Sequence, residues 1–109
     1  MGQNQMTSDL LRGHTDTMIL RLLSEQDRYG YEIIKWIAQR SQGEYQLKEA
    51  TLYSSLRRLE ADGDITWYWG SETQGGRRKY FTITDKGKET YARNIGNWEY
   101  AKRILDTLL

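Results

Sequence analysis

Thr51, Tyr53, Ser54, Ser55, Arg57 and Arg58 fall within the run EATLYSSLRRLEAD. With Leu52, Leu56 and Leu59 turned inward at helical spacing, these six residues face outward. Hydroxyls and guanidiniums on one helix face hydrogen-bond to phosphates and base edges, whereas a plain solvated face more often carries Glu and Lys. A second group follows. Arg77, Arg78 and Lys79 open the stretch from Gly75 to Arg93, which holds six basic residues against two acids. By charge alone such a cluster reads first as a solvated face, and only its position on the fold makes it a phosphate contact. The third group centres on Trp98, within the series Tyr91, Ile95, Trp98, Ala101, Leu105 and Leu108, spaced four, three, three, four and three. A large ring at the middle of a self-paired apolar stripe either packs shut or leaves a slot for a planar aromatic.

Catalytic constellations have little to build on. The chain has no cysteine and His14 is its one histidine, so Cys-His, Ser-His-Asp and multi-histidine metal sites lack their members. Glu49 and Glu60 read as exposed helix acids rather than a glycosidase pair. Gly75-Gly76 belongs to a hairpin tip and not to a phosphate-binding loop. The expectation is therefore a binding protein, not an enzyme, with no cofactor and no metal.

The elements that position these groups can be read in order. Leu11, Met18, Ile19, Leu22 and Leu23 predict a first helix from Ser8 to Glu25, with Ser8 and Asp9 capping its start. After Tyr29-Gly30, Ile33, Ile34, Trp36 and Ile37 predict a second helix as far as about Ser41, ended at Gln42-Gly43. The third helix begins at Lys48 and ends where Gly63 supplies a left-handed C-terminal cap. Ile65, Trp67 and Trp69 alternate with Thr66 and Tyr68, which is strand periodicity. Gly70 to Gly76 then turns the chain, and Lys79 to Ile83 closes an antiparallel hairpin. Trp67 and Trp69 share a strand face, so at least one packs the hairpin root, while Trp36 belongs to the core or an interface. Thr84-Asp85 caps a last helix that runs almost to the C-terminus.

Three helices, a hairpin and a further helix make a mainly α fold with a small β-hairpin: a winged helix-turn-helix with an added C-terminal helix. In that fold the third helix enters the major groove and the hairpin follows the backbone. The division expected is residues 1–84 for DNA binding and residues 85–109 for dimerisation and ligand binding. The last helix has one apolar stripe and two ways to cover it, against a second copy of itself or back on the first helix. At 109 residues, with 38% apolar and 28% charged side chains and a net charge of +1, the chain reads as one soluble domain. No apolar run is long enough to span a bilayer and no export signal opens the chain, so a cytoplasmic location is expected.

The segments EATLYSSLRRLEADGDI and YWGSETQGGRRKYFTITDKG resemble the PadR-type transcriptional regulators. The matching elements are Leu52-Tyr53, Arg58-Leu59-Glu60, Gly63 before Ile65, and Gly76-Arg77-Arg78-Lys79-Tyr80 running into Thr84 and Gly87. The likeness extends to Leu11-Arg12-Gly13 and Tyr29-Gly30-Tyr31, and the short C-terminus resembles the branch with a single C-terminal helix. It implies a homodimer whose C-terminal helices cross against the partner's first helix, around a flat pore where one tryptophan from each chain sandwiches a ligand. The matching tryptophan is Trp98, with Ile95 beside it on the stripe. Around that pore, multidrug-binding members carry small or apolar neighbours where this chain has Asp16, Thr17 and Asn94, and an acid where it has Lys102. A preference for cationic drugs is thus not carried over. The resemblance further implies a target promoter of an efflux or stress gene.

Two functional classes remain: a ligand-responsive repressor on double-stranded DNA, and a winged-helix module for protein contacts alone. The placement of Arg57, Arg58, Arg77 and Arg78 over helix and wing favours the first, since protein contacts alone require no such set.

Overall fold

The structure, a computed structural model, describes residues 10–71 and 76–109. Residues 10–12 are helical, and after a turn at Gly13 and His14 come helices α1 (Thr15–Glu25), α2 (Gly30–Arg40), α3 (Glu49–Ala61) and α4 (Asp85–Leu108). Strands β1 (Arg28–Tyr29), β2 (Ile65–Trp69) and β3 (Lys79–Ile83) form one antiparallel sheet in the order β1-β3-β2. Among the described residues no helix is long and apolar enough to cross a membrane.

The first helix departs from expectation. It is interrupted at Gly13 and His14, where the His14 N–H donates to the Leu11 carbonyl at 2.9 Å. Glycine weakens a helix by roughly 1 kcal/mol relative to alanine, and Thr15 is drawn into the core, where its hydroxyl meets that of Tyr45 at 2.9 Å. The expected caps Ser8 and Asp9 lie outside the described residues.

Both of the next two helices end in the same device. At the end of α2, Gln42 takes a φ of 55° and Gly43 a φ of 81°, while Gly43 N–H reaches the Ala38 carbonyl and Gln42 N–H that of Gln39. At the end of α3, Gly63 takes a φ of 80°, and the N–H groups of Asp64 and Gly63 reach Leu59 and Glu60. Each pairs carbonyls the helix would otherwise leave open, as anticipated for Gly63.

The core joins Ile19, Leu20, Leu22 and Leu23 of α1 to Ile33 and Ile37 of α2 and to Leu52, Leu56 and Leu59 of α3. Ile65 and Phe81 close it from the sheet. Ile19, Leu20, Ile33 and Leu52 are wholly inaccessible, so truncating one of them to alanine costs about 2–5 kcal/mol. β1 is an addition to the expected hairpin. Its two residues pair with β3, Arg28 opposite Phe81 and Tyr29 opposite Tyr80, and two residues are too few to show alternation. Arg28 is buried, which requires partners. Its Nε donates to the Leu22 carbonyl and its Nη2 to Glu25, both at 3.1 Å, and its guanidinium lies 5.0 Å from the Trp36 ring centre.

α4 is welded to the end of α3. Thr84 Oγ1 accepts from Gly87 N–H and donates to the Gly63 carbonyl at 2.7 Å. The buried Asp64 carboxylate takes Lys86 Nζ at 3.1 Å and Thr90 Oγ1 at 2.8 Å. Gly87 approaches the Asp64 carbonyl so closely that a Cβ there would overlap it.

Candidate nucleic-acid interface and ligand cavity

α3 carries the expected division of faces with one exception. Leu52, Leu56 and Leu59 are buried, while Ser54, Arg57 and Arg58 are exposed and Thr51 is half-buried. Ser55, expected outward, is buried: the helix turns it toward the core, and its Oγ accepts from Arg58 Nη2 at 3.2 Å. Tyr53 is 39% exposed, and its hydroxyl end rests on Gly30 at the start of α2, where a Cβ would lie 2.5 Å from it. Arg57 leans on Ser54 Oγ at 3.5 Å, a weak contact that leaves its guanidinium at the surface. Arg58 is tied instead to Asp16 of α1, Nη2 to Oδ1 at 2.8 Å. One residue proposed for DNA and one proposed for ligand are therefore partners of each other.

On the wing the cations lie over aromatic rings. Arg77 sits 5.3 Å from Trp69, Arg78 4.6 Å from Tyr29 and Lys79 Nζ 4.2 Å from Trp67, measured to ring centres. Such contacts orient a long side chain without neutralising it. Arg77 and Arg78 remain exposed and Lys79 is half-buried. Trp67 and Trp69 meet edge to face at 5.5 Å; Trp67 packs on the core and donates to Glu60 at 3.1 Å, and Trp69 is exposed. Tyr68 stacks on Tyr80, and its hydroxyl donates to Asp27 at 2.6 Å, which pushes its pKa up. This pairing of wing cations with rings was not anticipated. The interleaving of Trp, Tyr, Arg and Lys was visible in the strands, but Tyr29 reaches the sheet only through β1.

A cavity of about 610 Å³ opens between α1, α2 and the first half of α4. Thr17, Asn94, Ile95 and Trp98 line it, four of the six residues proposed for ligand, and Asn94 Nδ2 donates to Thr17 Oγ1 at 3.0 Å. Asp16 is not among its walls, because its carboxylate turns to Arg58. Lys102 lies beyond them, with Nζ 5.5 Å from the Trp98 ring centre. Arg21, Arg40 and Tyr45 also form the walls and were not singled out from the sequence. They come from the faces of α1 and α2 and the loop after α2, which only tertiary packing brings together.

Two arginines of that wall meet on Glu25. Its Oε2 accepts from Arg21 Nε at 3.1 Å and Arg40 Nη1 at 2.9 Å, and its Oε1 from Arg40 Nη2 at 2.6 Å and Arg28 Nη2 at 3.1 Å. The Arg40 bonds, helped by Arg21, hold the Glu25 carboxyl down at about 2 against the desolvation that would raise it.

α1 and α4 touch within the chain: Arg21 Nη1 donates to the Tyr91 hydroxyl at 3.2 Å alongside the Asn94–Thr17 bond. Folding back on the first helix thus covers the beginning of the apolar stripe. The remainder is open, with Trp98 48%, Leu105 53% and Leu108 74% exposed.

The Transcriptional regulator PadR-like family matches residues 19–93, from α1 through the wing and into α4. An uncharacterised protein from Lysinibacillus sphaericus is 45% identical over 102 residues, covering 94% of both chains. A solved transcriptional regulator from Clostridium thermocellum is 45% identical and superposes with a TM-score of 0.85 over 92% of this chain and 94% of that one. A solved PadR family transcription regulator from Clostridium difficile R20291 is 35% identical, with a TM-score of 0.76 over 87% of this chain and 97% of that one. With the winged-helix architecture, these likenesses establish that the chain belongs to the PadR-like family of transcriptional regulators.

Proposed function

We propose that this chain is a ligand-responsive repressor that binds a palindromic operator as a homodimer and is released by flat aromatic or amphipathic compounds at the dimer interface. Residues 1–84 form the DNA-binding unit, and residues 85–109 the helix for dimerisation and ligand binding. Thr51, Tyr53, Ser54 and Arg57 of α3 meet base edges and nearby phosphates, while Arg58 and the wing residues Arg77, Arg78 and Lys79 serve the backbone. A two-fold dimer calls for half-sites roughly ten base pairs apart, or a multiple of that. The protein works in the cytoplasm, where its DNA is.

The observation that carries this reading is the open half of α4. Trp98, Leu105 and Leu108 are exposed on one stripe that begins at the cavity wall, and an apolar face of that kind is covered in a stable protein by a partner. A second copy brings its own Trp98 to the same axis, which makes a slot between two indoles. The chain's resemblance to the lactococcal multidrug regulator LmrR supports the arrangement. Sedimentation of the free protein, together with titration of a duplex in the presence and absence of ligand, tests it: a dimer whose DNA affinity falls with ligand is expected. A monomer, or a ligand that leaves DNA affinity unchanged, overturns it.

A further inference from the structure

The cavity beside α1 has an electrostatic character that its apolar walls do not reveal. Its cationic wall residues are Arg21 and Arg40, and no carboxylate lines it. The two acids of α1 nearest this region are both engaged. Asp16 is bound to Arg58. Glu25 receives arginine donors on both oxygens, from Arg21, Arg28 and Arg40 together. Three guanidiniums around one carboxylate leave a local surplus of positive charge, and Glu25 has no oxygen left uncommitted for a cationic guest. Arg21 Nη2 and Arg40 Nε take no part in these bonds, and both side chains are partly exposed, at 60% and 42%. On the far side of Trp98, Lys102 holds its ammonium over the indole, the position a flat cation would seek. The acids there, Glu99 and Asp106, are balanced by Lys102 and Arg103 around a separate shallow depression.

We propose that this cavity takes an amphipathic organic anion, its apolar body against Leu11, Met18 and Ile37 and its carboxylate or sulfonate head at Arg21 and Arg40. The proposal rests on the reading of the cavity as the effector site and adds the sign of the ligand's charge. A guanidinium presents N–H donors in a planar fork suited to such a head group. The apolar walls lower the local dielectric and strengthen the attraction. An organic cation of the same shape would meet like charge at the rim and would leave its own charge unpaired on burial.

The test uses the full chain and two probes that share a ring and differ in sign, a naphthalenesulfonate and the matching naphthyltrimethylammonium, followed by isothermal titration. The sulfonate is expected to bind at least about tenfold more tightly, the equivalent of one charge-assisted hydrogen bond. Arg21→Glu, at an exposed side chain, is expected to reverse the order of the two probes. Arg40→Gln, checked by thermal melting, is expected to weaken the sulfonate alone by about tenfold. Tighter binding of the ammonium probe, or weakening of both probes in equal measure in the two variants, overturns the anion assignment while leaving the effector site in place. Binding of neither probe removes both.

Discussion

Arg58, on the helix that fits the major groove, gives its guanidinium to Asp16 of α1 across 2.8 Å. Their side chains are 58% and 32% exposed, so the pair contributes no more than about 1 kcal/mol to stability. Its consequence is for charge. A guanidinium held by a carboxylate offers less to phosphate, so Asp16→Asn is expected to tighten DNA binding and steepen its salt dependence by about one ion per site. The same substitution in an Arg58→Ala background should give no such gain. A gain of equal size in both backgrounds would show that Asp16 acts only through its own charge.

Arg77 and Arg78 lie exposed on the wing, over Trp69 and Tyr29. Replacing both with alanine is expected to weaken binding to operator and random duplex alike, and to lower the salt slope by about one for each phosphate no longer neutralised. Fluorescence anisotropy across a salt series reads the slope directly. An unchanged slope means that the wing arginines do not neutralise phosphates.

Arg57 should behave differently, because its guanidinium is at the surface of α3 with only a weak lean on Ser54. Arg57→Ala is expected to cost about 1–3 kcal/mol on the operator and less on random DNA, since a base-edge contact discriminates and a phosphate contact does not. Competition binding with the two duplexes separates the cases. Equal effects on both would place Arg57 on the backbone.

Trp98 joins the cavity wall to the open stripe of α4. A planar aromatic ligand is expected to quench tryptophan emission at one ligand per dimer, and Trp98→Ala to abolish most of the response while the dimer persists. Quenching that survives this change, and disappears instead in Trp67 or Trp69 variants, would move the site to the wing.

Glu25 sets a pH window. Its carboxyl is held at about 2, against 4.5 when unperturbed. A depressed carboxylate contributes its full stabilisation above the unfolded value and loses it as pH falls through the folded one. Glu25→Gln also strips a partner from the buried Arg28. It is expected to destabilise the protein by on the order of 2 kcal/mol near neutral pH, less than a fully buried pair would lose because Glu25 is partly exposed. The gap between variant and parent, followed by urea melts, should be constant above about pH 4.5 and narrow toward pH 2. A gap independent of pH would mean that the stabilisation does not depend on the charge of Glu25.

The elements were legible where the pattern is local. Leu52, Leu56 and Leu59 repeat with the helical period, Gly63 ends the helix in a left-handed turn, and Thr84 caps α4 through Gly87, because each of these depends on residues within one or two turns. The outward set on α3 followed from the same period, apart from Ser55, which sits at the edge of the buried arc where periodicity alone does not assign a side. β1, the break at Gly13 and the wall contributed by Arg21, Arg40 and Tyr45 were not legible in this way. A two-residue strand exists only because β3 offers it partners, and the turn before α1 accompanies the burial of Thr15 against Tyr45, thirty residues on. Trp98 could be placed on a stripe from spacing alone. That Asp16 would face Arg58, that Asn94 would close on Thr17, and that three arginines would gather on Glu25 were decided by helix packing, which sets long-range distances no local repeat encodes.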